Sequence, residues 1–226
     1  MMAQDAAHLL PIALAPDLLA IIDDLVVLDG GSRDSTPDVA RSLGARVVHA
    51  PFPADGFGAQ QTRAAHASRA DWVLILDADE VATSLLISAI PDLIRTRRHT
   101  GWWLPRRWVV RSDDGLGWLD APPHWPDLQP RLARRVDGVR YVGEIHQTLA
   151  SSSPGSWGIA RGSSLAHLDL LLNSREAREA KVLGRSGTPG FAGTESFYLW
   201  EDHPTRIAAI PGEEHQVHRA IRSLDP

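Results

Sequence analysis

Residues 25–49, LVVLDGGSRDSTPDVARSLGARVVH, decide the fold. Leu25 to Asp29 is a short apolar run ending in an acid, which fits a strand buried on both faces of a parallel sheet. Gly30-Gly31 closes it. Ser35 or Thr36 can cap a helix, Pro37 suits its first turn, and Gly44 stops it. Arg46-Val47-Val48-His49 is the next strand. The same alternation continues downstream. Phe57 to Ser68 reads as a helix of small and polar residues, and Trp72 to Asp77 as a third acid-terminated strand. Another helix follows, starting near Thr83 or Ser84 and interrupted by Pro91. Strand–helix–strand units at this spacing imply right-handed crossovers and an α/β fold with a mostly parallel sheet.

The second half is less regular. Gly101 to Val110 reads as a strand or two with a kink at Pro105. Residues 112–130 read as loop, Arg131 to Leu149 as short strands, Leu170 to Val182 as a polar-faced helix, and 186–226 as a loop-rich tail. No repeat or clean linker divides the chain, so 1–226 is taken as one domain, with a first half (1–100), a second half (101–185) and the tail.

Composition narrows the function. The chain has 226 residues and a net charge of −5, which suits a globular domain and argues against a surface that is a nucleic-acid platform throughout. The absence of cysteine excludes a disulfide scaffold, a cysteine zinc site and a thiol nucleophile. No apolar run approaches the roughly 18–20 residues that cross a bilayer. The opening residues carry Asp5, Pro11 and Pro16 and do not read as a signal peptide, so the expected setting is the cytoplasm. Two oddities stand out: 22 of the 23 basic residues are Arg, with Lys181 the exception, and there are eight Trp. Codon bias accounts for the first and packing for the second, although Arg also suits phosphate and Trp suits sugar faces.

Ligands of open α/β sheets bind beyond the carboxyl ends of the strands. Asp29 and Asp77 stand at that edge, and Asp77-Ala78-Asp79 puts two carboxylates on one turn, able to share a divalent cation that binds a diphosphate. Asp79 or Glu80 could instead only cap the next helix; the preceding strand and the Asp29 turn favour the cation.

LVVLDGGSRDSTPDVARSLGARVV, FGAQQTRAA and ADWVLILDADE resemble the donor-binding half of glycosyltransferase family 2, in its lipopolysaccharide-core, β-glucosyltransferase-like branch. PDLQPRLARRVDGVRYVGEIHQTL and HLDLLLNSREAREAKV extend the likeness over about residues 5–185. The resemblance implies a GT-A fold and an inverting transfer of a sugar from a nucleotide-diphosphate donor, UDP-linked above all, to a glycan or lipid-linked acceptor. It implies that Asp29 accepts a nucleobase N–H, Asp34 braces the turn, Asp77 contacts ribose or metal, and Asp79 ligates Mg²⁺ or Mn²⁺. His146 would be a further metal ligand or diphosphate contact, or else a core histidine; Arg131 would pair with phosphate, or else be a solvated strand arginine. For the general base it offers Asp127 first and Glu144 second.

Departures from the pattern are Gln147 in place of a glutamate, Thr62 in place of asparagine, and the strand expected before DAAHLLPIAL. With that strand missing, two buried strands would face a gap, and a start upstream of Met1 is one expected remedy. The alternative reading is a non-catalytic relic that no longer binds donor. Arginines in 95–99, 105–111 and 131–135 could touch anionic lipid, giving a peripheral membrane contact.

Overall fold

The computed structural model describes residues 1–51, 56–113, 115–135, 139–142, 148–151, 156–187, 193, 195–203 and 205–224. The chain begins with β1 (Met2–Ala3), α1 (Leu10–Ala13), α2 (Pro16–Leu19), β2 (Val26–Asp29), α3 (Thr36–Ser42), β3 (Arg46–His49) and α4 (Gly56–Ala67). Next come β4 (Trp72–Leu74), β5 (Glu80–Ala82), α5 (Ser84–Arg95), β6 (His99–Ser112), β7 (Gly115–Leu119) and β8 (Asp127–Arg134). The remainder comprises β9 (Val139–Val142), β10 (Thr148–Ser151), β11 (Ser156–Ile159), β12 (Leu165–His167), α6 (Asp169–Leu172) and α7 (Arg175–Arg185). It closes with α8 (Glu195–Tyr198), β13 (Ile207–Ala209) and α9 (His215–Leu224).

The α/β architecture holds, with an all-parallel group on one side. Strands β1, β2 and β3 run parallel in that order. The other side is mixed: β8 pairs antiparallel with both β4 and β6, while β12 runs parallel to β6 and antiparallel to β5.

The slot expected to be empty is filled. Met2 pairs with Leu28 on one side and bridges Asp77 in parallel on the other. Leu28 N donates to Met1 O at 2.9 Å and Gly30 N to Ala3 O at 2.8 Å, while Met2 N reaches Leu76 O at 3.3 Å. Two residues suffice because β2 is itself only four residues long, so its central backbone groups find partners.

Other expectations change for identifiable reasons. Within 112–130, β7 and the start of β8 pair with β6, making strand of what read as loop. β6 runs unbroken through Pro105, its irregularity lying instead between Trp102 and Trp103. Helix α5 continues past Pro91, because Leu86 and Ile90 are buried in the core and one lost backbone bond does not outweigh that packing. The helix read over 170–182 is two, α6 and α7, the second capped by Ser174 through Ala177 N. In the tail, α9 buries Val217, Ala220 and Ile221, spaced i, i+3, i+4, against Val81, Val109 and Trp118. Elsewhere the reading stands: Thr83 caps α5 by accepting from Leu86 N at 3.2 Å, and Gly44 ends α3 with φ 86°.

The main core joins Leu10, Leu14 and Leu18 to Val27, Leu76, Leu86, Leu104, Leu132 and Leu165. It anchors β2, the β4 end, β8, β6 and β12 as one floor. The acid-bearing ends of those strands open above it.

Candidate active site

At the end of β2, Asp29 is buried and accepts from Ser32 N at 3.0 Å, while its other oxygen lies 3.2 Å from His49 Nδ1. Burial works to raise its pKa, but the hydrogen bonds from Ser32 and His49 outweigh this and leave it lowered. The following turn is clasped to residues 5–7. Ala7 N and Thr36 N donate to Asp34 at 3.1 and 2.9 Å, Asp5 N donates to Ser32 Oγ at 3.0 Å, and Arg33 N donates to Asp5 Oδ1 at 2.7 Å. Asp34 therefore braces the turn from both sides.

Beyond β4 lies a chain of alternating charges. Arg131, on β8, is almost wholly buried; its Nη2 bonds to Asp77 Oδ2 and, at 2.8 Å, to Glu80 Oε1. Glu80 is fully buried, accepts from Arg106 Nη1 at 3.2 Å, and accepts from Asp77 N at 3.1 Å through its other oxygen. Arg106 in turn donates from Nε to Asp127 Oδ2 at 2.8 Å. Burial acts to lower the Arg131 pKa, yet Asp77 and Glu80 raise it further, so its charge is permanent. The structure thus settles one open choice: Arg131 is an internal cation and not a solvated one.

Asp127 has both oxygens engaged. Trp108 Nε1 joins Arg106 on Oδ2 at 2.9 Å, and Gln129 Nε2 donates to Oδ1 at 2.6 Å. Burial pushes its pKa up, but Arg106 foremost, then Gln129 and Trp108, bring it below the ordinary value. A carboxylate bound this way is a weak base. Because its folded pKa is depressed, its stabilising contribution is complete above the unfolded value near 3.8 and disappears as pH falls through the folded one. Asp127→Asn is expected to lower Tm most near pH 6–7, with the deficit shrinking below about pH 4; a Tm-against-pH series checks this, and a deficit that grows toward acid would reverse the sign.

The end of β12 completes the site. His167 Nε2 stands 3.3 Å from Asp79 Oδ2. Burial tends to raise the Asp79 pKa, but the adjoining His167 ring, with Lys181 and Arg106 behind it, holds the carboxyl well below the usual range. Lys181, on α7, donates to the buried Asp169 Oδ1 at 2.6 Å.

These groups surround a cavity of about 390 Å³. Asp77, Asp79 and Arg131 line it together, as the sequence expected, and Arg106, Gln129, His167, Lys181 and Tyr198 join them. Asp29 and Asp127 are not on its wall: Leu28 and Gly30 represent the first, and Arg106, Trp108 and Gln129 stand in front of the second. Glu144 and His146 lie outside the described residues. His167, Arg106 and Glu80 were not anticipated as functional. His167 had a readable signal, since Leu165–His167 is another short apolar strand followed by an acid, Asp169, like those ending at Asp29 and Asp77.

The Asp79–His167 pair suits a divalent cation. Two ligands on an octahedral ion with bonds of about 2.1 Å lie about 3 Å apart, close to the observed 3.3 Å. Among the described residues no group of three or more His, Cys, Asp or Glu is placed to hold a metal ion. No helix among the described residues is long and apolar enough to cross a membrane. The arginine clusters do not form one surface, because Arg106 and Arg131 are internal and Arg107 pairs with Asp120 and stacks over Trp125.

The chain is similar to several known proteins. A TPR repeat-containing protein of Synechococcus elongatus is 46% identical over 93 residues, 41% of this chain and 22% of its own length. An uncharacterized glycosyltransferase of Rickettsia bellii is 42% identical over 60 residues, 26% of this chain and 20% of its own. The matches therefore span about a fifth of these curated relatives. Among solved structures, S. aureus TarS 1-349 in complex with UDP-GlcNAc aligns over 99% of this chain and 70% of its own, at 12% identity and a TM-score of 0.48. Glucosyl-3-phosphoglycerate synthase from Mycobacterium tuberculosis, in complex with Mn²⁺, UDP and glucosyl-3-phosphoglycerate, aligns over 47% of this chain and 42% of its own, at 23% identity and a TM-score of 0.36. The model of "Glycosyl transferase family 2" matches residues 17–145, more than half of the sequence, and the chain belongs to that family.

Proposed function

We propose that this chain is an inverting glycosyltransferase that moves a sugar from a nucleotide-diphosphate donor to a glycan or lipid-linked acceptor, with a divalent cation, Mg²⁺ or Mn²⁺. The observation that carries the reading is the Asp79–His167 pair, 3.3 Å apart on the wall of a cavity at the carboxyl ends of the strands. A bound cation would offset the charge that gathers on the departing diphosphate, a poor leaving group by itself.

The protein's own groups supply the rest. Asp34 and Asp5 fix the turn that brings Gly30 to the cavity, and a nucleobase N–H would have to reach Asp29 behind that wall, beside its bond from Ser32. Asp77 is oriented by Arg131 for ribose or metal, and Arg131 itself faces the same cavity as a phosphate partner. Asp127 holds Arg106 and Trp108 in the wall, so Glu144 becomes the better choice of base for the acceptor hydroxyl. A lipid-carried acceptor would be met at the inner face of a membrane by exposed arginines such as Arg95, Arg97 and Arg98.

UDP is expected to raise Tm in the presence of Mn²⁺ and not in EDTA, with His167→Ala weakening the Mn²⁺-dependent binding at least about 10-fold. Equal UDP binding in EDTA would remove the metal from the reading. No binding of any nucleoside diphosphate would favour the non-catalytic alternative.

A further inference from the structure

Lys181 is the only lysine in a chain with 22 arginines. A cation needed here only to pair a surface carboxylate would be served by arginine, as it is throughout the rest of the molecule. Lysine differs in carrying a compact ammonium with three tetrahedrally arranged donors, where arginine has a flat fork. The structure puts this one ammonium on the cavity wall.

Its surroundings fix it there. Asp169 immediately follows β12 by one residue, is 2% exposed, and takes a 2.6 Å hydrogen bond from Lys181 Nζ. Asn173 Nδ2 donates to the same Asp169 oxygen at 3.1 Å, so the anchor is itself held. The Tyr198 ring centroid lies 4.7 Å from Nζ, a cation–π contact. Asp169 engages one of the three donors, which leaves N–H groups for a ligand in the cavity. The same wall carries Gly30 after β2, Asp77 and Asp79 of the turn, Arg131 on β8 and His167 on β12. Lys181 shares the cavity wall with Asp79 and His167, and its anchor Asp169 lies two residues beyond His167 on the chain.

We propose that Lys181 binds the terminal phosphate of the donor's diphosphate and stabilises it as the leaving group. The inference rests on the glycosyltransferase reading above. In the transfer, the acceptor oxygen forms a bond to the anomeric carbon and gives its proton to the base. The bond from that carbon to the phosphate oxygen breaks, and its electron pair stays on the nucleoside diphosphate. Lys181 keeps its proton and meets the charge that develops on that oxygen. Asp169 is a positioning residue for the ammonium.

The test compares nucleotides of different length. From UDP, GDP, CDP, ADP and dTDP with Mn²⁺, the tightest binder to the wild type is chosen by calorimetry, together with its monophosphate. Lys181→Met should weaken the diphosphate at least about 10-fold, leave the monophosphate within about twofold, and lower donor turnover at least about 100-fold. Lys181→Arg should recover part of the affinity but not the full rate. Unchanged diphosphate affinity in Lys181→Met would overturn the proposal, as would equal losses for diphosphate and monophosphate, which would mark a merely structural lysine. If Lys181→Met does not fold, because Asp169 is left buried and unpaired, Lys181→Met/Asp169→Asn removes both charges and is measured instead, with the same expectations. A wild type that binds none of the five diphosphates would bring down the glycosyltransferase reading itself, whereas wild-type binding with an unaffected variant would bring down only the role of Lys181.

Discussion

Asp79→Asn is expected to abolish Mn²⁺-dependent UDP binding, a loss of at least about 100-fold, while Tm moves by no more than a few degrees. The asymmetry follows from what each part of Asp79 does. Its backbone carbonyl accepts from Leu168 N at 2.9 Å and so ties the turn to β12, a contact the substitution leaves in place. Its carboxylate is partly exposed, lines the cavity and faces His167 at 3.3 Å. Asparagine keeps the shape and removes the charge that a divalent cation requires. Calorimetry with UDP in Mn²⁺ and in EDTA, beside a melting curve, separates the two effects. Binding at wild-type strength would exclude Asp79 from the site, and a collapse in Tm would make it a structural residue.

Glu80→Ala should have the largest effect on stability. The Glu80 side chain is fully buried and holds Arg131, Arg106 and the backbone N–H of Asp77 at once. Its removal leaves two buried guanidinium groups short of a counter-charge, which costs about 3–5 kcal/mol. A domain's whole stability is only about 5–15 kcal/mol, so Tm should fall by roughly 6–20 °C. Glu80→Gln, which can still accept from Asp77 N but carries no charge, should fall between the two. A change of under about 2 °C for Glu80→Ala would show that the arginines find other partners and that the charge chain is not a unit.

The Glu80 case also shows where sequence reasoning stopped. DADE at residues 77–80 was legible as a carboxylate turn after a buried strand, and two of its acids, Asp77 and Asp79, do line the cavity. The third, Glu80, had no role beyond the alternative in which it or Asp79 caps the next helix, and it is the hub of the arginine network. Nothing local distinguishes these outcomes, because the partners come from β6 and β8, 26 and 51 residues away.

The acid-ended strands were readable because their signals are local: an apolar run, a glycine turn and a proline-led helix start follow one another within residues 25–49, and an apolar run, an acidic turn and a helix cap within 72–84, each decided by neighbours in sequence. Helix α9 was readable in principle from the spacing of Val217, Ala220 and Ile221, but a loop-rich context hid it. The first strand was misjudged because two residues carry no periodicity. Met2–Ala3 is a strand only because β2 and the Leu76–Asp77 backbone present groups to it on both sides.

The site divides the same way. By itself the sequence determined the α/β fold, the acid-ended strands and the carboxylate turn of a glycosyl transferase family 2 chain. Only the tertiary structure decided that Asp127 is spent on Arg106, Trp108 and Gln129, that Arg131 is internal, and that His167 and Lys181 stand at the cavity. The physical reason is that a strand's end and its terminal acid are set by adjacent residues, whereas a side chain's protonation, partners and access to a ligand depend on what long-range pairing places around it.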